Sequence, residues 1–253
     1  MSPAGKHAFI TGGGSGIGLA ITTALGDAGW HVSIAGRNAE RLAAAAAAHS
    51  GLRTHRVDVT DSQAVETAMQ AAAADFGPVQ LLVNNAGGAA SAPFDKTTEQ
   101  LWRDALDLNL MGAVHCIRAA LPGMKQSGWG RIVNIASTAG LIGYRYVSAY
   151  VASKHALVGL TKALALEVAK TGVTVNAVCP GYTDTDIVAD SVSRISATTG
   201  RSQEEALTSL IAANPQGRLI APKEVAAAVL WLASDEAAAV NGIALSIAGG
   251  EVA

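Results

Sequence analysis

HAFITGGGSGIGLA, residues 7–20, decides the fold. HAFIT (7–11) is a short apolar run of strand character. GIGLAITTALGDAG (16–29) then reads as a helix. Between them, TGGGSGIG (11–18) spaces its glycines as Gly12-x3-Gly16-x-Gly18. Glycine lets the backbone turn tightly and come close to a bound group. The start of the helix adds unpaired N–H groups and the positive end of its dipole. A strand, a glycine turn and a helix in that order form a pyrophosphate cradle. Gly12, Gly16 and Gly18 are its backbone, and Ser15 places a hydroxyl beside it.

The alternation continues along the chain. Strand-like runs occur at HVSIA (31–35), THRVDV (54–59), VQLLVNNAG (79–87), GRIVNIAS (130–137), VTVNAVCPG (173–181) and GIALSIAGG (242–250). Helical material lies at 39–49, at 61–76 with Asp61 as N-cap, and at 98–125, ending near Pro122 and Gly123. More follows at 148–171, around 186–212 and at 222–233. Near-continuous apolar strands separated by helices mean a parallel sheet covered on both faces. No linker, composition shift or repeat divides the chain. The expectation is α/β: a single-domain, Rossmann-type doubly wound parallel sheet of about seven strands with helices on both faces, over residues 1–253.

Composition excludes several classes. Half of the 253 residues are hydrophobic and 15% are charged, which suits a large buried core. A net charge of −2 leaves no footprint for nucleic acid or an anionic membrane. No apolar run is long enough to span a bilayer, and MSPAGKHAFITGGG lacks the apolar core of a leader. Cys116 and Cys179 stand far apart in apolar surroundings and read as buried thiols, and the six histidines show no ligand spacing. A cytoplasmic, metal-free protein is expected.

In such sheets ligands bind beyond the carboxyl ends of the strands. Those ends carry Thr11-Gly12, Ala35-Gly36-Arg37, Asp58-Val59, Asn84 to Gly87, Ser137 and Pro180-Gly181. An NAD-preferring site places an acid at the end of the second strand; here Gly36 and Arg37 stand there. A guanidinium pairs with a 2′-phosphate, so NADP(H) is favoured, with NAD(H) as the alternative. Asp58 is placed to accept from the adenine amine. The small residues of Asn85-Ala86-Gly87 leave room for a ribose or nicotinamide.

SAYVASKHALVGL (148–160) holds Tyr150 and Lys154, four apart and so on one helix face. A free phenol titrates near 10, too high for a base at neutral pH. A neighbouring ammonium favours the phenolate, and tuned so, Tyr150 becomes a general acid–base. Lys154 supplies the field and can also hold the nicotinamide ribose. Ser137, at a strand end 13 residues before Tyr150, is placed to hold a substrate oxygen. Asn109, polar within apolar DLNLMG, either orders a water leading to Lys154 or kinks a helix.

In order and spacing, TGGGSGIG, NNAG, Asn109, Ser137, Tyr150-x3-Lys154 and PGYTDT (180–185) resemble the short-chain dehydrogenase/reductase family over nearly the whole chain. The resemblance implies a catalytic tetrad of Asn109, Ser137, Tyr150 and Lys154. It also implies cofactor contacts at Gly12, Ser15, Ile17, Arg37, Asp58, Val59, Asn85 and Thr183, and a homotetramer. Within the family, GRIVNIASTAG and the segment from Ser153 to Gly181 are similar to ketoreductases of polyketide and 3-oxoacyl thioester chemistry. They are similar also to hydroxyacyl-CoA and hydroxybutyrate dehydrogenases.

The expected reaction is interconversion of a ketone and a secondary alcohol by hydride transfer. A 3-oxoacyl thioester of coenzyme A or an acyl carrier is the leading substrate, and a small aromatic, alicyclic or hydroxy-acid alcohol the alternative. Loops 87–95 and 138–147 and a helical lid around 183–217 would select it. The rival from another class, a non-catalytic dinucleotide-sensing regulator, needs the glycine turn but not an intact tetrad.

Overall fold

The computed structural model describes residues 5–49 and 51–253. The first four residues, part of the stretch read as lacking a leader, and Ser50 lie outside them. Among the described residues, seven strands form one parallel sheet: β1 (His7–Thr11), β2 (His31–Gly36), β3 (Arg53–Arg56), β4 (Leu81–Asn84), β5 (Gly130–Ile135), β6 (Val173–Pro180) and β7 (Ala244–Ile247). Their order is β3-β2-β1-β4-β5-β6-β7. The chain reverses direction across the sheet between β1 and β4, which opens a crevice at their carboxyl ends.

The connecting helices are α1 (Gly16–Asp27), α2 (Ala39–Ala48), α3 (Ser62–Phe76), α4 (Glu99–Leu106), α5 (Gly112–Ser127), α6 (Ser148–Val168), α7 (Asp186–Thr199), α8 (Gln203–Ile211) and α9 (Pro222–Leu232). Side chains alternate across each strand, and so the sheet carries two cores. On one face Ala8, Ile10, Leu81, Val83 and Val133 meet Ile21 and Leu25 of α1 and Val225, Val229 and Leu232 of α9. On the other, Phe9, Leu82 and Ile132 meet Val65 and Met69 of α3, Ile117 and Met124 of α5, and Val168 of α6. Burying a side chain of this size stabilises by about 1.5–3 kcal/mol.

Two expectations need correction. Strand β3 is shorter than 54–59, ending at Arg56, although the Val57 N–H still reaches the Gly36 carbonyl at 3.0 Å. Helix α5 does not end near Pro122; it runs through it to Ser127 and closes on Gly128 at φ 67°. Proline forfeits one hydrogen bond there, and the packing of Ala120 and Met124 outweighs that loss. The helical material read over 98–125 consists of α4 and α5 joined by a π-helical turn over Asp107–Met111.

A buried polar ladder orients α6. Asn84 on β4 donates to Asn134 on β5 at 2.8 Å, and Asn134 donates to Thr161 on α6 at 2.9 Å. Buried amides specify geometry because a misplaced one would lose its partner. The helix that carries Tyr150 and Lys154 is thereby fixed to the centre of the sheet.

At the opposite end, buried His7 bridges the Gly77 carbonyl at 2.8 Å and the Ser33 hydroxyl at 2.9 Å. Burial lowers its pKa below 6.5, against an opposing hydrogen bond to Gly77, with His31 and His55 adding to the fall and Asp75 opposing it. The unfolded chain therefore takes up this proton first as pH drops. The stabilisation is complete above the unfolded value and is lost as pH falls below it. Calorimetric Tm should fall from pH 7.5 to pH 5.5, with a shallower slope in His7→Asn.

Candidate active site

A groove of about 390 Å³ runs along the carboxyl ends of β1, β2 and β4 to α6 and the start of α7. Its floor is the glycine turn. A Cβ on Gly18 would stand 2.1 Å from the Gly12 carbonyl oxygen, so α1 packs onto its own turn only with glycine there. Ser15 is the N-cap of α1 but makes no side-chain cap bond, and the first turn of the helix carries no acid. The N–H groups there remain available to an anion. Asn85 pins the turn from β4, donating to the carbonyls of Thr11 at 2.9 Å and Gly12 at 3.2 Å. The Ala86 N–H reaches the Thr11 hydroxyl at 2.9 Å.

The far end of the groove carries two guanidinium groups. Arg37, 71% exposed, stands 3.8 Å from the Asp58 carboxylate. Asp58 is pushed up by burial, but two hydrogen bonds from Thr60 and the charge of Arg37 outweigh this and hold it below the usual range. Arg41, which sequence reasoning missed, donates to the Ser15 hydroxyl at 3.3 Å and pairs with Asp186 at 2.9 Å. It sits in the first turn of α2, three residues past the N-cap Asn38. A basic residue in the first turn after the second strand was the available signal.

At the other end, α6 presents Tyr150 and Lys154 to the groove. Lys154 is 4% exposed and donates to the Ile135 carbonyl at 2.9 Å. Its nitrogen lies 5.7 Å from the centre of the Tyr150 ring. Burial pushes the ammonium down to about 8, with Cys179 opposing. The phenol, by contrast, lies above its ordinary value. Burial is the main cause, a hydrogen bond from Ser137 opposes it, and Tyr182 and Cys179 add to it. The expectation that the ammonium sets the phenol low is thus corrected: desolvation dominates, and Ser137 is the group that counters it.

Ser137 follows β5 in extended backbone, its oxygen accepting from the Ala139 N–H at 3.1 Å. Asn109 is 2% exposed and stands one layer behind the groove. The π-helical turn aims it inward. There its oxygen accepts from the Gly88 N–H at 3.1 Å, and its amide donates to the Gly88 carbonyl at 3.1 Å and to Ser153 at 3.2 Å. A Cβ on Gly87 would lie 2.8 Å from the Asn109 oxygen and 3.4 Å from the Lys154 nitrogen, so these groups converge around Gly87.

Gly12, Ser15, Gly16, Ile17, Gly18, Arg37, Asp58, Val59, Asn85, Ala86, Gly87, Tyr150 and Lys154 all line the groove. Pro180, Gly181 and Thr183 stand back from it. Thr183 turns inward, bonding the Gly181 carbonyl at 3.0 Å, and its place on the wall is taken by Thr185. Thr185 lies against Gly16.

Beyond Tyr150, Gly181 abuts Glu251, whose carboxylate reaches back from the residues after β7. Tyr144 donates to that carboxylate and also bonds Thr138 at 2.7 Å. The rings of Tyr144 and Tyr182 meet edge to face at 6.3 Å. Burial and the charge of Glu251 both hold Tyr182 above its ordinary value. Nothing near Tyr150 in the sequence pointed to Glu251.

Residues 6–196 match the family model described as short chain dehydrogenase. The chain is a short-chain dehydrogenase. This short-chain dehydrogenase is 41% identical to a D-beta-hydroxybutyrate dehydrogenase of Cupriavidus necator, over 98% of each chain. It is 41% identical to a putative ketoacyl reductase of Streptomyces coelicolor, covering 96% of this chain and 95% of that one. Its structure superposes with a TM-score of 0.94 on a crystal structure of a variant of actinorhodin polyketide ketoreductase with NADPH, at 39% identity, covering 100% of this chain and 98% of the other. Membership of the family makes it an oxidoreductase of alcohol and carbonyl groups.

Gly18→Ala should destroy nicotinamide binding, because the methyl and the Gly12 carbonyl cannot occupy one space. Cofactor fluorescence titration checks this, with Gly26→Ala, which has open space around it, as the unaffected control.

Proposed function

We propose that this short-chain dehydrogenase is an NADP(H)-dependent ketoreductase whose preferred substrate is a neutral 3-oxoacyl thioester. The convergence of Tyr150 and Lys154 at one end of a groove floored by the glycine turn, with Ser137 hydrogen-bonded to the Tyr150 phenol, carries the reading. The glycine cradle, the uncapped start of α1 and the exposed Arg37 and Arg41 suit a dinucleotide with a 2′-phosphate. Gly12, Ser15, Gly16, Ile17 and Gly18 would hold the pyrophosphate, and Asp58 and Val59 the adenine side. Asn85, Ala86, Gly87 and Thr185 would take the part nearer Tyr150. The nicotinamide supplies or accepts the hydride when bound there.

The protein's own residues handle the proton and the orientation. Ser137 holds the substrate oxygen beside the Tyr150 phenol. A phenol raised by burial keeps its proton at neutral pH, so it is ready to donate to a nascent alkoxide. Lys154, fixed on the Ile135 carbonyl, supplies positive charge as the phenolate forms. Asn109 keeps the Gly87-Gly88 segment and Ser153 in register with Lys154.

Relatives of this chain are named for a free hydroxy acid and for ketoacyl substrates. The acidic Glu251 beside Tyr144 and Tyr182 favours the second class, because it opposes a substrate carboxylate. Helices α7 and α8 would act as the substrate lid of a single 1–253 domain. A homotetramer is part of the same proposal, with Leu166 on α6, 82% exposed, and Trp231 on α9 as apolar surfaces for partner subunits to cover. So is a cytoplasmic setting, in keeping with the buried free thiols of Cys116 and Cys179.

Absorbance at 340 nm should show NADPH oxidation by an acetoacetyl thioester at least tenfold more efficient than by free acetoacetate. Tyr150→Phe should lower kcat at least a hundredfold, the low end for lost acid–base catalysis, with NADPH affinity unchanged. Separately, Arg37→Asp should weaken NADPH at least tenfold and favour NADH; equal NADPH affinity would remove Arg37 from the phosphate site.

A further inference from the structure

The loop before α6 contains a backbone anomaly. Tyr146 has φ 68°, and among the described residues it is the one non-glycine with a positive φ. A side chain in this region is strained, because Cβ crowds the following carbonyl. Packing does not offset that cost, since Tyr146 is 62% exposed. Its carbonyl accepts from the Ala92 N–H at 2.8 Å, a bond that a glycine would make as well. Nothing in the folded scaffold therefore requires an aromatic ring here. Strain kept without a structural return points to function.

Position supplies the function. Tyr146 lies four residues before Tyr150, and its bond to Ala92 ties this loop to the segment that follows Gly87-Gly88. Phe94, 73% exposed, is two residues beyond Ala92. Ser91 in the same segment accepts from Arg194 of α7 at 3.0 Å, and Ile187 at the start of α7 is exposed on the groove wall. Of the seven large exposed hydrophobic side chains among the described residues, Ile187 lines the groove, and Phe94, Ile142 and Tyr146 stand on the loops that follow Gly87-Gly88 and Ser137. An apolar rim at the mouth of the site suits the non-reacting part of a substrate.

We infer that Tyr146 is a specificity residue of the substrate entrance, its ring held in a strained backbone in order to grip the apolar portion of the ketone. This rests on the ketoreductase reading. It deepens that reading by assigning the enzyme to substrates with an extended alkyl or aryl group beside the carbonyl.

The test compares wild type with Tyr146→Gly, Tyr146→Asn and Tyr146→Phe, using 2-butanone, 2-decanone and 4-phenyl-2-butanone. Glycine and asparagine both tolerate the left-handed backbone. Asparagine controls for the added freedom of glycine, and phenylalanine keeps the ring. Both ringless variants should raise KM for the two large ketones at least tenfold while 2-butanone and NADPH affinity stay within threefold. Tyr146→Phe should behave as wild type, and Tyr146→Gly should raise Tm by about 2–4 °C for each kcal/mol of strain released. Unchanged KM in both ringless variants, or equal losses on all three ketones, overturns the assignment.

Affinity of the same compounds for the NADP⁺-loaded protein is measured in parallel. Should wild type bind these ketones yet reduce neither them nor an acetoacetyl thioester, the ketoreductase reading fails and the ratio of dissociation constants still judges Tyr146. No binding of the two large ketones by wild type overturns the Tyr146 assignment, while the acetoacetyl thioester assay still judges the ketoreductase reading.

Discussion

One hydrogen bond organises the catalytic end of this molecule: the Lys154 ammonium donating to the Ile135 carbonyl at the end of β5. An amine buried to 4% exposure carries a large desolvation cost and tolerates burial only with a well-placed acceptor. That acceptor lies at the last residue of a central strand, two positions before Ser137. One contact thus fixes the phase of α6, brings Tyr150 over the groove and sets Ser137 against its phenol. The Asn84–Asn134–Thr161 ladder holds the same helix lower down. With two points of attachment, α6 can neither roll nor slide.

The electrostatics divide along the groove. Its far end has Arg37 and Arg41 exposed to solvent, each already facing a carboxylate, so an arriving phosphate exchanges one partner for another. The Tyr150 end is enclosed and works by desolvation. Burial lifts the phenol and lowers the ammonium to about 8, so two values that nearly coincide in water are driven apart. Desolvation therefore holds the proton on Tyr150, as a group that must donate to a nascent alkoxide requires.

The sheet, the glycine turn and the Tyr150–Lys154 pair were legible in the sequence because each rests on local spacing. Strand alternation and a helical i, i+4 relation survive folding unchanged. Arg41 and Glu251 were not legible, because their reach depends on how distant elements pack: α2 folds back over Ser15, and the chain after β7 returns to Tyr144. The direction of the phenol's shift was misjudged for a related reason. A neighbouring charge can be read from four residues, whereas burial is a property of the whole crevice. Pro122 misled as a stop signal because a proline's penalty is local and the packing that offsets it is not.

The π-helical turn at Asp107–Met111 has a consequence for how this chain can vary in length. Such a turn holds one residue more than a regular helix would, and each residue is worth about 100° of rotation. Deleting any one of these five positions would restore an unbroken helix from Glu99 to Ser127, locally the better structure. It would also carry the Asn109 amide off Gly88 and Ser153. An apparently redundant residue is what keeps the two halves of that helix in the relative phase the site requires, so this segment should resist shortening even where surface loops of the same protein accept it.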